Sequence, residues 1–254
     1  MTVRGLLPSR LAAVIGPVFV LGLAATVAAA TSFATEPRSI ATLAGIAGLL
    51  VAAAVADRYP VPLDGIDTGG VSLLFVFCVA TIVLYGWQAG VLVGTAPAVL
   101  FMPKLVARER HSVERTTRAK VSAVVIGAVL ATSVLAVAGV AAGVAVQLPL
   151  GGNDTAMVAA TVLIAASVHY LANLALISLV VAASTRKSLV AVARSSIEST
   201  SLPFGLMGSA ALILVVLWQR APLLSAALVG PLLAIALYQR SQHHPLRAMK
   251  LALT

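Results

Sequence analysis

A single cysteine, Cys78, leaves the chain unable to form an internal disulfide or a thiolate metal cluster. Charge is scarce as well. Only 10% of the residues are Asp, Glu, Lys or Arg, against about 25% in soluble domains. Acid is the scarcer half, with 8 carboxylates against 17 Lys and Arg. No pair of acids stands inside an apolar run, so a proton-driven pump would have little to work with. No H-E-x-x-H, G-x-S-x-G, Walker loop or dinucleotide fingerprint is present. Catalysis within this chain is not expected, and neither is a cofactor or a bound metal.

Hydrophobic residues make up 60% of the 254 positions, and the mean hydropathy is +1.05. A soluble core of this length could not hide so much apolar surface, so the expected solvent is lipid. The net charge of +9 and a pI near 10.6 could suggest nucleic acid. The basic residues, however, sit in short gaps between apolar runs, where membrane topology places them. No nucleic-acid partner is expected.

Val71–Met102 is apolar almost throughout and carries no charge. A bilayer core of about 30 Å needs about 20 helical residues. The run is too long for one span and long enough for two short ones that turn at Gly86-Trp87. Gly86, Gly90 and Gly94 recur every four residues. Such small-residue ladders let helix backbones approach closely in hydrocarbon. The expectation is a helical hairpin at the centre of a polytopic domain.

Along the chain, Leu11–Thr31 reads as the first span. Its basic start resembles a signal peptide, but the apolar run is longer than the usual 7–15 residues, so a retained span is expected. Glu36-Pro37-Arg38 breaks the run, and Ser39–Ala56 is the second span. Asp57–Gly70 reads as a loop, with Asp57, Asp64 and Asp67 serving turn chemistry rather than a cation. The hairpin supplies spans three and four. Lys104–Lys120 is a basic loop carrying Arg108, Arg110, Arg115, Arg118 and Lys120, read first as a topology signal and second as a grip on lipid headgroups. Val121–Val146 is the fifth span and Thr155–Ala183 the sixth. Ser184–Ser201 is a basic, partly amphipathic connection. Leu202–Trp218 and Leu223–Gln239 are spans seven and eight, and Arg240–Thr254 is a basic tail. The fold class expected is all-α: a polytopic transmembrane bundle of about eight spans, or seven if two neighbouring runs merge, over residues 1–240, with a cytoplasmic helix or linker over 241–254. With the N-terminus inside, fifteen of the 17 Lys and Arg fall on the inner side, and only Arg38 and Arg220 fall outside. That asymmetry puts both ends in the cytoplasm.

The candidate ligand or sensing residues are His169, Asn173, Tyr170 and Gln88. His169 and Asn173 lie four apart, which puts them on one helix face. A polar pair at mid-bilayer must face protein or water. It either contacts a ligand or proton, or joins helices by hydrogen bonds; the second is the simpler reading. Cys78 reads as inert packing, Thr95 as a helix contact, and His243-His244 as a solvated face.

Three segments carry a resemblance: DRYPVPLDGIDTGGVSLLFVFCVATIVLYGWQAGVLVG, HYLANLALISLVVA, and LWQRAPLLSAALVGPLLAIALYQRSQHHPLRAMKLALT. Their order resembles the N-terminal membrane region of bacterial, especially actinobacterial, cyclic-di-GMP signalling proteins of the GGDEF and HD-GYP types. AMKLALT is similar to the helix that leads into a GGDEF domain. No GGDEF, EAL or HD-GYP signature occurs here, so no cyclase or phosphodiesterase activity follows. The resemblance implies an inner-membrane sensor or input domain that relays a ligand or membrane signal to an output module of the diguanylate cyclase type, absent from this chain. Its partners would be the bilayer, a second copy of the chain and a cytoplasmic signalling protein. More loosely, the hairpin resembles LytS-type five-span sensors and substrate-binding components of vitamin transporters, which makes a small-solute transporter the alternative.

Overall fold

The computed structural model describes residues 9–58, 61–62, 70–71, 73–112, 117–147 and 155–221. Apart from one short β ladder and the turns, these residues are helical. The helices are α1 (Ser9–Thr35), α2 (Ile40–Arg58), α3 (Leu74–Tyr85), α4 (Trp87–Ser112), α5 (Thr117–Ala145), α6 (Thr155–Thr185) and α7 (Leu189–Arg220). Between α2 and α3, β1 (Val61–Pro62) pairs antiparallel with β2 (Gly70–Val71).

Five helices are long and apolar enough to cross a membrane: Leu11–Thr35, Ile40–Arg58, Val125–Ala145, Thr155–Thr185 and Leu189–Arg220. The hairpin helices are shorter. At about 1.5 Å per residue, α3 spans only about 18 Å, and the apolar part of α4 is Trp87–Leu100.

α3 is the centre of the bundle. It packs against α2, α4, α5, α6 and α7. Every residue from Leu74 to Ile82 is buried. A helix apolar on all sides has no stripe to turn toward solvent, so it is stable only when surrounded. α1 is the opposite case. Val20, Leu21, Leu23 and Val27 are exposed on it, as suits a helix solvated by acyl chains.

The hairpin turns at Gly86, whose φ of +90° lies in the region glycine enters without a steric penalty. Its amide still bonds the Ile82 carbonyl at 3.0 Å and closes α3. Beyond the turn, Gly90 lies against α3 so closely that a Cβ there would overlap the Ile82 side chain and stand 3.1 Å from its backbone nitrogen. At Gly94 a Cβ would stand 3.1 Å from Cys78 Sγ. The expected ladder is thus the α3–α4 contact itself.

The structure corrects two loops. Lys104–Lys120 is largely helix: α4 continues to Ser112 and α5 starts at Thr117. Lys104, Arg108 and Arg110 therefore lie on α4, Arg118 and Lys120 lie on α5, and Arg115 falls outside the described residues. Arg, Lys, Glu and Ala are good helix formers, so charge alone does not stop a helix. Pro97 and Pro103 fall within α4, and neighbouring helices in a bundle tolerate such breaks in the ladder. Likewise, Ser184–Ser201 is mostly the start of α7. Ser188 caps that helix, its hydroxyl accepting from the Ala191 amide at 3.4 Å. Pro203 falls inside α7. Span eight, the tail with His243 and His244, and the Asp64–Asp67 turn lie outside the described residues.

Candidate functional site

Where α6 meets α3, a histidine lies inside the bundle. His169 is 0% exposed, as is Cys78 facing it from α3. Its Nε2 stands 3.5 Å from Cys78 Sγ. The Cys78 thiol donates to the Gly90 carbonyl at 3.4 Å. A thiol has one proton, so the consistent arrangement is a chain: His169 Nε2–H to sulfur, and sulfur to the α4 carbonyl. That tautomer leaves His169 Nδ1, which has no partner, as a bare lone pair. The absence of a Cβ at Gly90 and Gly94 is what lets sulfur, imidazole and carbonyl converge.

An aromatic row extends outward from this centre. His169 meets Phe75 edge-on, with ring centroids 5.3 Å apart and planes at 78°. Phe75 meets Phe204 of α7 at 4.9 Å and 86°. Phe204 lies 4.5 Å from Tyr170. The edge-on geometry of the first two pairs is favoured for aromatic quadrupoles, whereas the Phe204 and Tyr170 rings are tilted at 41°. Tyr170 ends the row in a 3.0 Å hydrogen bond with the Thr200 hydroxyl. Adjacent residues of α6 thus reach α3 by His169 and α7 by Tyr170.

The row borders a groove of about 300 Å³ between α6 and α7, floored by Phe75. Ala159, Ala166, Gly205 and Gly208 keep its walls thin, and Ser167, Tyr170 and Ser201 stand toward one end. Leu163 and Ser167 on one wall, and Ser201, Gly205 and Ser209 on the other, are exposed. The groove therefore opens on the outer face of the bundle.

The expected residues are only partly brought together. His169 and Tyr170 meet in the row. Asn173 lies one turn along α6, half-buried, with no side-chain hydrogen bond among the described residues. Gln88 is not beside His169. Its amide donates to Glu36 Oε1 at 2.9 Å, across the α1–α2 turn. The same turn holds Arg38, which pairs with Glu36 Oε2 at 2.6 Å and donates to the Tyr85 carbonyl at 3.4 Å. Its guanidinium also lies over the Phe33 ring at 4.5 Å. This cluster caps the hairpin turn, and it contains Glu36, Arg38 and Tyr85, which sequence reasoning passed over. The signal was weak: Glu36-Pro37-Arg38 looked like a helix break and nothing more. Thr95 bonds the Val91 carbonyl of its own helix at 2.8 Å. Cys78, read as inert, is the polar partner of His169. Side-chain positions of the basic residues on α4 and at the start of α5 lie outside the described residues.

Among the described residues no three His, Cys, Asp or Glu side chains converge as a metal site would require. No protein-family profile, curated protein or solved structure matches the chain.

Proposed function

We propose that the chain is a multi-pass input domain of the bacterial inner membrane, relaying a ligand or membrane signal to a cytoplasmic output module. One observation carries the reading: the row Tyr170–Phe204–Phe75–His169 joins a groove on the lipid side to the buried stretch Leu74–Ile82 of α3. Whatever enters or leaves the groove changes what Phe75 and Phe204 pack against. A stimulus shifts a bundle only by binding two arrangements unequally, and the row supplies groups whose packing would differ. The centre is filled by α3 rather than left as a solute path, which favours sensing over transport.

The distribution of charge supports the orientation. The α1–α2 turn, the hairpin turn and the end of α7 meet at one end of the bundle: Arg38 bonds the Tyr85 carbonyl, and Tyr85 stacks edge-on against Trp218. That end carries Arg38 and Arg220. Arg10, Arg58, Lys104, Arg108, Arg110, Arg118, Lys120, Arg186 and Lys187 lie on helix ends and turns away from it. The basic end is the cytoplasmic one by the positive-inside rule. α7 finishes at the opposite end, and the apolar run 223–239 in the sequence is long enough to bring an eighth span back. Both termini are then cytoplasmic.

The test is accessibility of a cysteine introduced at Leu251 in intact cells. Cys78 is fully buried, so the introduced thiol is the one expected to meet a membrane-impermeant maleimide. Labelling only after the inner membrane is opened is the expected result. Labelling from outside overturns the relay. Solute uptake by vesicles that hold only this protein would overturn the sensor reading in favour of a transporter.

A further inference from the structure

The two longest helices outrun the bilayer. Arg220 donates to the Thr155 hydroxyl at 2.8 Å, so α6 and α7 share a level at the outer end. From there α7 runs without a charge through residues 199–219. That stretch is about 31 Å long at about 1.5 Å per residue, which matches a hydrocarbon core of about 30 Å. Glu198 and Arg194 come next. They pair at 3.1 Å with side chains 66% and 81% exposed, and an exposed ion pair is not solvated by acyl chains. Residues 189–198 of α7 therefore lie beyond the core, as do residues 176–185 of α6, which lead into the same turn. Ten residues of helix add about 15 Å, whereas the headgroups on one side account for about 5–8 Å. A tilt of about 20° shortens the projection by only about 1 Å. The turn Arg186-Lys187 thus stands in water, clear of the headgroups.

The projection is packed, with Val192 buried, but it is not covered. Ile177 and Val181 of α6 are four residues apart, and Val190, Arg194 and Ile197 of α7 recur at i, i+4 and i+7. Each set shares one helix face. Val190 is 76% exposed, and Ile177, Val181 and Ile197 are 37–47% exposed. Against lipid such exposure carries no penalty; in water it is unfavourable. At the tip, Arg186 and Lys187 are exposed and have no ion pair or hydrogen bond among the described residues. Arg186 also holds a φ of 59°, a region that glycine enters more readily than any side-chain-bearing residue.

We propose that this projection is a docking surface for an acidic amphipathic helix of a cytoplasmic protein. The face presented by two antiparallel helices is a shape on which a third helix packs. The partner's apolar side covers Ile177, Val181, Val190 and Ile197, and its carboxylates pair with Arg186 and Lys187. Lipid headgroups share the negative charge, but the tip stands beyond them. A second copy of the chain would bring the same two cations, and its Glu198 is already held by Arg194. This names the partner class for the input-domain reading and rests on that reading for the side of the membrane on which the partner is met.

The experiment uses the full chain in phosphatidylcholine nanodiscs. The probe is a fluorescent amphipathic helix of leucine and glutamate, about 20 residues long; a leucine–lysine helix is the control, and empty nanodiscs give the background. Saturable binding of the glutamate helix, weakened by salt, is expected, with none by the lysine helix. Arg186→Gly with Lys187→Ser removes the tip charges and suits the positive φ, so the fold is kept while Kd rises about two- to thirtyfold. Val190→Ser with Ile197→Ser raises Kd by about tenfold or more and leaves melting in detergent unchanged, because both side chains are exposed. A Kd indifferent to either pair, equal binding of the two helices, or no saturable binding overturns the proposal. Placement is checked with bimane on Lys187→Cys and, separately, on Ser199→Cys, since Cys78 is buried. Headgroup spin label should quench the second more than the first. The reverse order puts the tip among the headgroups and overturns the proposal in favour of lipid. Nanodiscs expose both faces, so these results do not depend on which side is cytoplasmic, and cysteine accessibility at Leu251 tests the relay separately.

Discussion

α3 and α7 are both strongly apolar, yet they occupy opposite environments. α3 has 12 residues and buries nine in succession. α7 has 32 residues and buries Val192, Met207, Ala211, Leu214 and Val215. Leu202 and Leu206 on α7 remain 73% and 66% exposed. In water this difference would follow from hydrophobicity, which would drive Leu202 and Leu206 inward. In lipid that drive is absent, because acyl chains are as apolar as leucine. What distinguishes α3 is the shape of its neighbours. Glycines on α4 admit it closely, five helices surround it, and His169 and Cys78 join it to α6 and α4 by polar contacts. The contrast extends to the glycines, which clamp α4 onto α3 and hollow the wall of α7.

Substitution would test this contrast. Phe77 is fully buried in α3. Phe77→Ala removes a ring from a site that cannot collapse onto solvent, and should destabilise the fold by about 3–5 kcal/mol in detergent unfolding titrations. A loss below about 1 kcal/mol would mean that α3 is not the packing centre.

Arg38→Ala comes next. The arginine ties the α1–α2 turn to the end of α3, and its side chain is 11% exposed against 50% for its partner Glu36. Half of the pair is solvent-screened, so the expected loss is about 1–2 kcal/mol, below the usual range for truncating a fully buried ion pair. The hairpin turn should also become more susceptible to proteolysis than in the unmodified chain. A variant equal to the parent in both measurements would show that Gly86 holds the turn unaided.

The smallest effect belongs to Leu206→Ala on the outer face of α7, which should change stability by less than about 0.5 kcal/mol. A loss approaching that of Phe77→Ala would mean that another protein surface covers α7, and the contrast between the two helices would fail.

The helical fold, helices long and apolar enough to cross a membrane, and the position of the hairpin turn were legible in the sequence. Long apolar runs with few charges can satisfy their backbones in lipid only as helices or a closed barrel. Gly86 followed by a four-residue glycine ladder marks both a turn and a close contact. The basic stretches were legible as charge but not as structure. Lys104–Ser112 is rich in good helix formers, with Lys104, Leu105, Ala107, Arg108, Glu109 and Arg110 among its nine residues, and the sequence offers no sign of where such a helix stops. The site was legible by half. Any histidine inside an apolar run must be sheltered, which picked out His169. Its partner could not be read, because Cys78 is 91 residues away in sequence and only helix packing sets that distance.

Composition and the length of the apolar runs therefore determined that this chain is a bundle of helices, five of those described being long and apolar enough to cross a membrane, since those depend on each segment's transfer free energy alone. Which apolar helix lies at the centre, which polar groups meet and which glycines leave a groove were decided by the tertiary structure. In a solvent as apolar as the core, burial follows the fit of neighbouring surfaces, and fit is a property of several helices at once.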